Sequence, residues 1–126
     1  MDTLPLLVVD GANVVGSVPD GWWRDRLGAT ERLRDALEPY AAEGIPDLLP
    51  GPVELVLVVE GAARERPSAG AVRVVRADGS GDDRVVRLVA EEGGDRRCVV
   101  VTADRELRGR VAALGAACAG PRTVRP

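Results

Sequence analysis

Three aliphatic runs, each closed by a carboxylate, limit what this chain can fold into more than any other feature. Residues 4–9 run into Asp10, residues 53–59 into Glu60, and residues 98–101 into Thr102-Ala103-Asp104. The runs are short and apolar without strict alternation. That is the pattern of strands buried on both faces, as in a parallel sheet covered by helices. They fall far short of the roughly 20 apolar residues that a membrane-spanning helix needs. A chain of 126 residues has the length of one ordinary domain, long enough to bury a core. Phe is absent and only Trp22, Trp23 and Tyr40 are aromatic, so that core is built from Val, Leu and Ala.

Helical patterns separate the runs. Pro19-Asp20-Gly21 marks a loop. After it, Trp23, Leu27, Thr30, Leu33, Leu37 and Tyr40 recur at spacings of three and four, which predicts one buried helix face. Pro39 is expected to end or kink this helix. Residues 45–52 hold three prolines and form a connector. Residues 62–70 are polar and arginine-bearing, the pattern of a mobile loop, and residues 72–75 read as an edge strand. Asp82 and Asp83 open a helix stopped by Gly93-Gly94, and a last helix turns Leu107, Val111 and Leu114 inward. Residues 116–119 close the pattern as a short strand. The expected organisation is a single domain over residues 1–126, with its core at about 4–119 and a frayed tail at 120–126. Strands alternating with helices make it an α/β three-layer fold, with a mostly parallel sheet and helices on both faces.

Composition removes several function classes. The chain has no His, so a His-dependent triad and a zinc–imidazole site are excluded. Cys98 and Cys118 sit among apolar residues and read as two reduced, buried thiols. No Walker loop is present, and Asp10 lacks the second Asp two residues on that an aspartyl-phosphatase uses. Nothing near Met1 resembles a signal peptide, so a cytoplasmic protein with no membrane association is expected.

The remaining signal is the acids. In an open α/β sheet, ligands bind outside the carboxyl ends of the strands. Asp10, Glu60 and Asp104 fall there, and Asp82-Asp83 opens a helix after a glycine-rich loop. Each alone reads equally as a cap or turn residue, or as a first-turn charge favoured by the helix dipole. Together they can aim carboxylates at one volume. Such a cluster survives only if some members are protonated or a cation sits among them. Oxygen donors suit a hard ion, Mg²⁺ or Mn²⁺. Asn13 can add an amide oxygen.

Asp10-Gly11-Ala12-Asn13, Glu60-Gly61, Gly81-Asp82-Asp83 and Val101-Thr102-Ala103-Asp104-Arg105-Glu106-Leu107, in that order, resemble the NYN branch of the PIN-like nucleases. The YacP-like group is the nearest match, over residues 4 to about 119. The resemblance implies a parallel sheet in the order 3-2-1-4-5 and a metal-dependent ribonuclease. Carried over, Asp10, Asp82 and Asp104 look like the metal-binding acids, and Asn13 matches the polar residue after the first strand. Asp83 falls at the second acid of the pair, and Glu60 stands where many relatives carry Asp. The catalytic set so implied is Asp10, Asn13, Asp82 and Asp104; the metal set is Asp10, Glu60, Asp82, Asp83 and Asp104.

RNA is the implied partner, single-stranded before duplex. The formal charge is −3, but those five carboxylates supply −5, which leaves +2 for the rest of the chain. Acidity therefore does not exclude RNA, although it argues against tight, salt-resistant binding. Arg64, Arg66, Arg84, Arg105 and Arg108 flank the acids and are candidates for phosphate contacts; each reads equally as a solvated arginine. Trp22 is a candidate for stacking a base and Trp23 for the core. A nucleotide phosphohydrolase using the same metal, and a non-catalytic RNA- or protein-binding module, remain open alternatives. So do a homodimer and a protein partner such as an antitoxin or the ribosome.

Overall fold

The computed structural model describes residues 4–61 and 70–125. Arg64, Arg66 and all but the last residue of the loop expected at 62–70 lie outside the described residues. The elements are β1 (Leu6–Asp10), α1 (Gly11–Gly16), α2 (Arg26–Glu43), β2 (Gly44–Ile45), β3 (Leu49–Pro50), β4 (Glu54–Val59), β5 (Val72–Arg76), α3 (Gly81–Glu92), β6 (Cys98–Val101), α4 (Arg105–Ala112) and β7 (Ala117–Ala119). Three-residue 3₁₀ turns occupy Trp22–Arg24 and Pro121–Thr123.

Five strands form one sheet in the order β5-β4-β1-β6-β7, with every neighbouring pair parallel. Numbered along the chain, these five strands stand 3-2-1-4-5, as the resemblance implies. The proline-rich connector contributes only the small antiparallel pair β2–β3. β1 is central, and all five of its residues are buried.

The period of two along each strand sorts the core into two layers. Leu7, Val9, Leu55, Leu57, Val99 and Val101 pack with Val14 of α1 and Leu33 and Leu37 of α2. Leu6, Val8, Val56, Val58 and Val100 pack with Val85 and Leu88 of α3 and Leu107 and Val111 of α4. Helices therefore cover both faces, which is why the strands are apolar at successive positions. Cys98 is buried and Cys118 half-buried, both as free thiols. Burial pushes the Cys98 thiol up to about 11, which leaves it unreactive. Among the described residues, no helix is long and apolar enough to cross a membrane.

The structure departs from sequence expectation at four places. α2 begins at Arg26, capped by Asp25, whose side chain accepts from Gly28 N at 2.9 Å. Trp23 therefore lies outside the helix and is 52% exposed, while Trp22 packs against the core. The expected roles of the two rings are exchanged, because a 3₁₀ turn does not continue the helical spacing backwards. α2 runs on through Pro39, which lies on the exposed side, where water can serve the carbonyl that loses its donor. Leu114 is 46% exposed, because α4 stops at Ala112 and the chain reverses at Gly115, with φ +92°. The tail is docked rather than frayed as far as Arg125, the last described residue. Val124 is 2% exposed in the core, and Arg125 Nη1 donates to the carbonyls of Val14 at 3.3 Å and Val15 at 3.0 Å.

Candidate functional site

β1 delivers Asp10 to the carboxyl edge of the sheet, where it is 3% exposed. Ser80 and Asp104 cap their helices, accepting from Asp83 N at 3.2 Å and Leu107 N at 3.0 Å. Asp10 precedes α1 but makes no capping bond. Its carboxylate is turned instead toward β6. The register pairs Val9 with Val101, so Thr102 comes alongside Asp10. Thr102 Oγ1 donates to Asp10 Oδ2 at 2.9 Å and accepts from Asp104 N at 3.1 Å. Asn13 Oδ1 accepts from Ala103 N at 2.8 Å. Two side chains thus tie the segment carrying Asp104 to the segment carrying Asp10. Gly11 lets α1 cross β4 closely: a Cβ there would stand 2.5 Å from the Val58 carbonyl oxygen.

The opposite side of the site is built on β4 and α3. Gly81 N donates to the Glu60 carboxylate, which draws the start of α3 to the end of β4. Asp82 is the next residue. Four acids from four segments, Asp10, Glu60, Asp82 and Asp104, therefore share one edge.

Their electrostatics show the crowding. The Asp10 carboxyl is raised to about 6, first by burial and then by the charges of Asp82 and Glu60, while the Thr102 hydroxyl and the nearby Asn13 backbone oppose the rise. Asp82 is raised by partial burial, then by Asp104 and Glu60, while Arg110 opposes the rise. Among the described residues, none of the four carboxylates has an ion-pair partner.

Other sequence candidates stand apart. Asp83 is exposed and pairs with Arg110 Nη1 at 3.0 Å, so it belongs to the α3–α4 surface rather than the cluster. Arg84 is half-buried beside the Asp78–Ser80 loop. Arg108 Nε donates to the Thr102 carbonyl at 2.8 Å and so braces the loop. Arg105 is exposed at the start of α4. Trp22 has Arg26 over its ring at 5.5 Å and Gly16 beneath it.

Sequence reasoning missed Thr102 as a link between two acids, although a hydroxyl between a buried strand and Asp104 was a readable signal. It also missed Arg110, which no local motif marks. Nor did it find the open groove beside Ala103, lined by Val18, Pro19, Pro121, Arg122 and Arg125, because its walls come from three distant segments.

The donor set fits a hard divalent cation. All four groups are oxygen acids, one is buried, and among the described residues they carry more negative charge than their neighbours neutralise. Among the described residues, no three acids converge tightly enough to hold an ion as they stand. Glu60, Asp82 and Asp104 are only half-buried, which leaves room for them to adjust.

The chain is similar in fold to the crystal structure of Rae1 (YacP) from Bacillus subtilis, with a TM-score of 0.71 and 20% identity over 99% of this chain and 72% of that one. A point mutant of the same protein gives a TM-score of 0.73 at 18% identity, over 97% and 73%. The likeness is one of fold: a five-stranded parallel sheet with helices on both faces. No protein-family model and no curated protein matches the sequence.

Proposed function

We propose that this domain is a metal-dependent ribonuclease, with Asp10, Glu60, Asp82 and Asp104 as the site for Mg²⁺ or Mn²⁺. The observation that carries the reading is Asp10. A buried carboxylate at the end of the central strand, raised to about 6 and without a cationic partner among the described residues, is poorly accounted for as a structural group. The nuclease-type fold and the order of the acidic motifs support the same reading. A bound divalent ion would supply phosphoryl polarisation and an activated water.

The chain's own residues have separable tasks. Asp10 and Asp82 are the principal donors, and Glu60 and Asp104 each keep an oxygen beyond the one engaged by a backbone N–H. Thr102 orients Asp10 and holds the Asp104 backbone. Asn13 fixes the loop between them. The reading needs no covalent intermediate and uses no side-chain nucleophile.

A second reading has one observation in its favour. Glu60 and Asp104 already serve the starts of α3 and α4, as a non-catalytic module would also require. The deciding experiment incubates single-stranded RNA with the protein and Mn²⁺, with EDTA and with Asp10→Asn as controls. Cleavage that needs both the metal and Asp10 is the expected result. RNA left intact by the wild type would hand the domain to the binding-module reading. Hydrolysis of nucleoside triphosphates in place of RNA would make it a phosphohydrolase.

A further inference from the structure

The open groove on the β6–β7 side has a volume of about 1040 Å³. It begins at Ala103, between the residue that bonds Asp10 and the acid Asp104. One wall is the loop after α1, with Val18 and Pro19; the other is the Pro121–Thr123 turn. Arg125 joins the two walls, since it follows that turn and its guanidinium reaches the carbonyls of Val14 and Val15 and the Asp20 carboxylate. The groove is therefore a built feature, held by a docked C-terminal segment.

Its chemistry is opposite to that of the cluster beside it. No acid lines it, and the walls are largely apolar. Its charged residues are Arg122, which is exposed, and Arg125, which Asp20 partly neutralises. An apolar slot with a cationic rim, next to a site that handles a phosphodiester, matches a nucleoside: a flat apolar base with a phosphate on each side. Its volume lies just above the roughly 300–1,000 Å³ of small-ligand pockets, so it accommodates one nucleoside with room for the strand that continues from it.

We infer that this groove seats one unstacked nucleoside of single-stranded RNA, adjacent to the phosphate at the carboxylate cluster. The inference rests on the ribonuclease reading and adds to it. The base lies between the Val18-Pro19 and Pro121 walls, and Arg122 meets the next phosphate along the strand.

The test uses the full chain, isotopically labelled, titrated with oligouridylate at low ionic strength with Ca²⁺ present to neutralise the acids. The largest amide shifts are expected at Val18, Gly120 and Arg122, and inorganic phosphate alone should move Arg122 but not Val18. Arg122→Ala is expected to weaken RNA binding about fivefold and to lower the slope of log affinity against log salt by about one, as the loss of one phosphate contact does. Shifts confined to the Trp22–Arg24 turn or to other surfaces would overturn the groove. So would an Arg122→Ala variant with unchanged affinity and slope. The cleavage assay on the same preparation separates the two readings. Cleavage without groove shifts removes the groove alone; groove shifts without cleavage remove the nuclease and keep an RNA-binding slot.

Discussion

The two ends of the sheet treat their acids in opposite ways. At the amino end, arginines meet the carboxylates. Arg96 Nη2 lies 2.8 Å from Glu54 Oε1, and its Nε donates to the Leu4 carbonyl at 2.8 Å. Arg73 grips Glu92 with two bonds, of 2.7 and 3.1 Å, and stands 3.8 Å from Glu54. At the carboxyl end, Asp10, Glu60 and Asp104 take hydrogen bonds from a hydroxyl and from backbone N–H groups, and no arginine pairs with them or with Asp82 among the described residues. Arg110 approaches and pairs with Asp83 instead. Among the described residues, the amino end is neutralised by arginines, whereas the carboxyl end keeps its negative charge. That asymmetry separates a structural ion-pair network from the cluster that the proposed function assigns to a cation.

The comparison breaks most directly at Asp10. Its folded value near 6 lies above the 3.8 expected when unfolded. The folded state then holds a proton that the unfolded state has released between these values, so stability falls as pH rises through that window. Above about pH 6 the full penalty applies, on the order of 3 kcal/mol from the size of the shift. In EDTA at pH 7.5, Asp10→Asn should therefore be more stable than the wild type by up to about 3 kcal/mol, with most of the gain gone at pH 4. Paired urea melts at the two pH values measure it. An Asp10→Asn variant no more stable than wild type at pH 7.5 would mean that Asp10 is already neutralised, and the two sheet ends would no longer differ.

Thr102→Val sharpens the same contrast from the other side. It removes the donor that favours ionised Asp10 and leaves Asp104 N without its acceptor. The expected loss is about 2 kcal/mol at pH 7.5, within the range for hydrogen bonds to charged groups. Asp10 should titrate at a higher pH in the variant, which NMR of the carboxyl carbon reads directly. A folded variant with the Asp10 titration unmoved would detach Thr102 from the site.

The strand order came from the resemblance of the motifs, whereas the buried strands and the acids at their ends were legible from one physical demand. A strand buried on two faces is apolar until it reaches the sheet edge, and the first polar residue marks that edge. Asp10, Glu60 and Asp104 announce themselves this way. Asp82 and Asp83 are adjacent in sequence and were not separable, because only the direction of α3 against α4 sends one to the cluster and the other to Arg110. Trp22 and Trp23 are exchanged for a related reason: helical spacing does not extend through a turn whose end is set by the Asp25 cap. The docked tail was unreadable from composition, since Pro-Arg sequences usually fray and only the tertiary contacts of Val124 and Arg125 hold this one down.

The affinity for the cation supplies a third test. Binding to the cluster must displace the Asp10 proton below its value of about 6. Apparent Mn²⁺ affinity should then fall about tenfold per pH unit below that point and level off above it, as for any site that loses one proton on loading. Calorimetric titration from pH 5 to 8 follows it. A pH-independent affinity would place the ion away from Asp10.

The smallest effect belongs to the amino end, and it is the control that gives the others meaning. Glu54 and Arg73 are substantially exposed, with side-chain exposures of 36% and 45%. An ion pair in that setting contributes little, because water screens it and ordering two long side chains opposes it. Glu54→Gln should cost no more than about 1 kcal/mol, shrink further in high salt and leave Mn²⁺ affinity unchanged. Chemical melts at low and high salt, with one Mn²⁺ titration, check all three. A loss of several kcal/mol would show that the amino-end network is a core electrostatic element. A changed Mn²⁺ affinity would show that the two ends of the sheet are coupled, so that the charge left at one end depends on its neutralisation at the other.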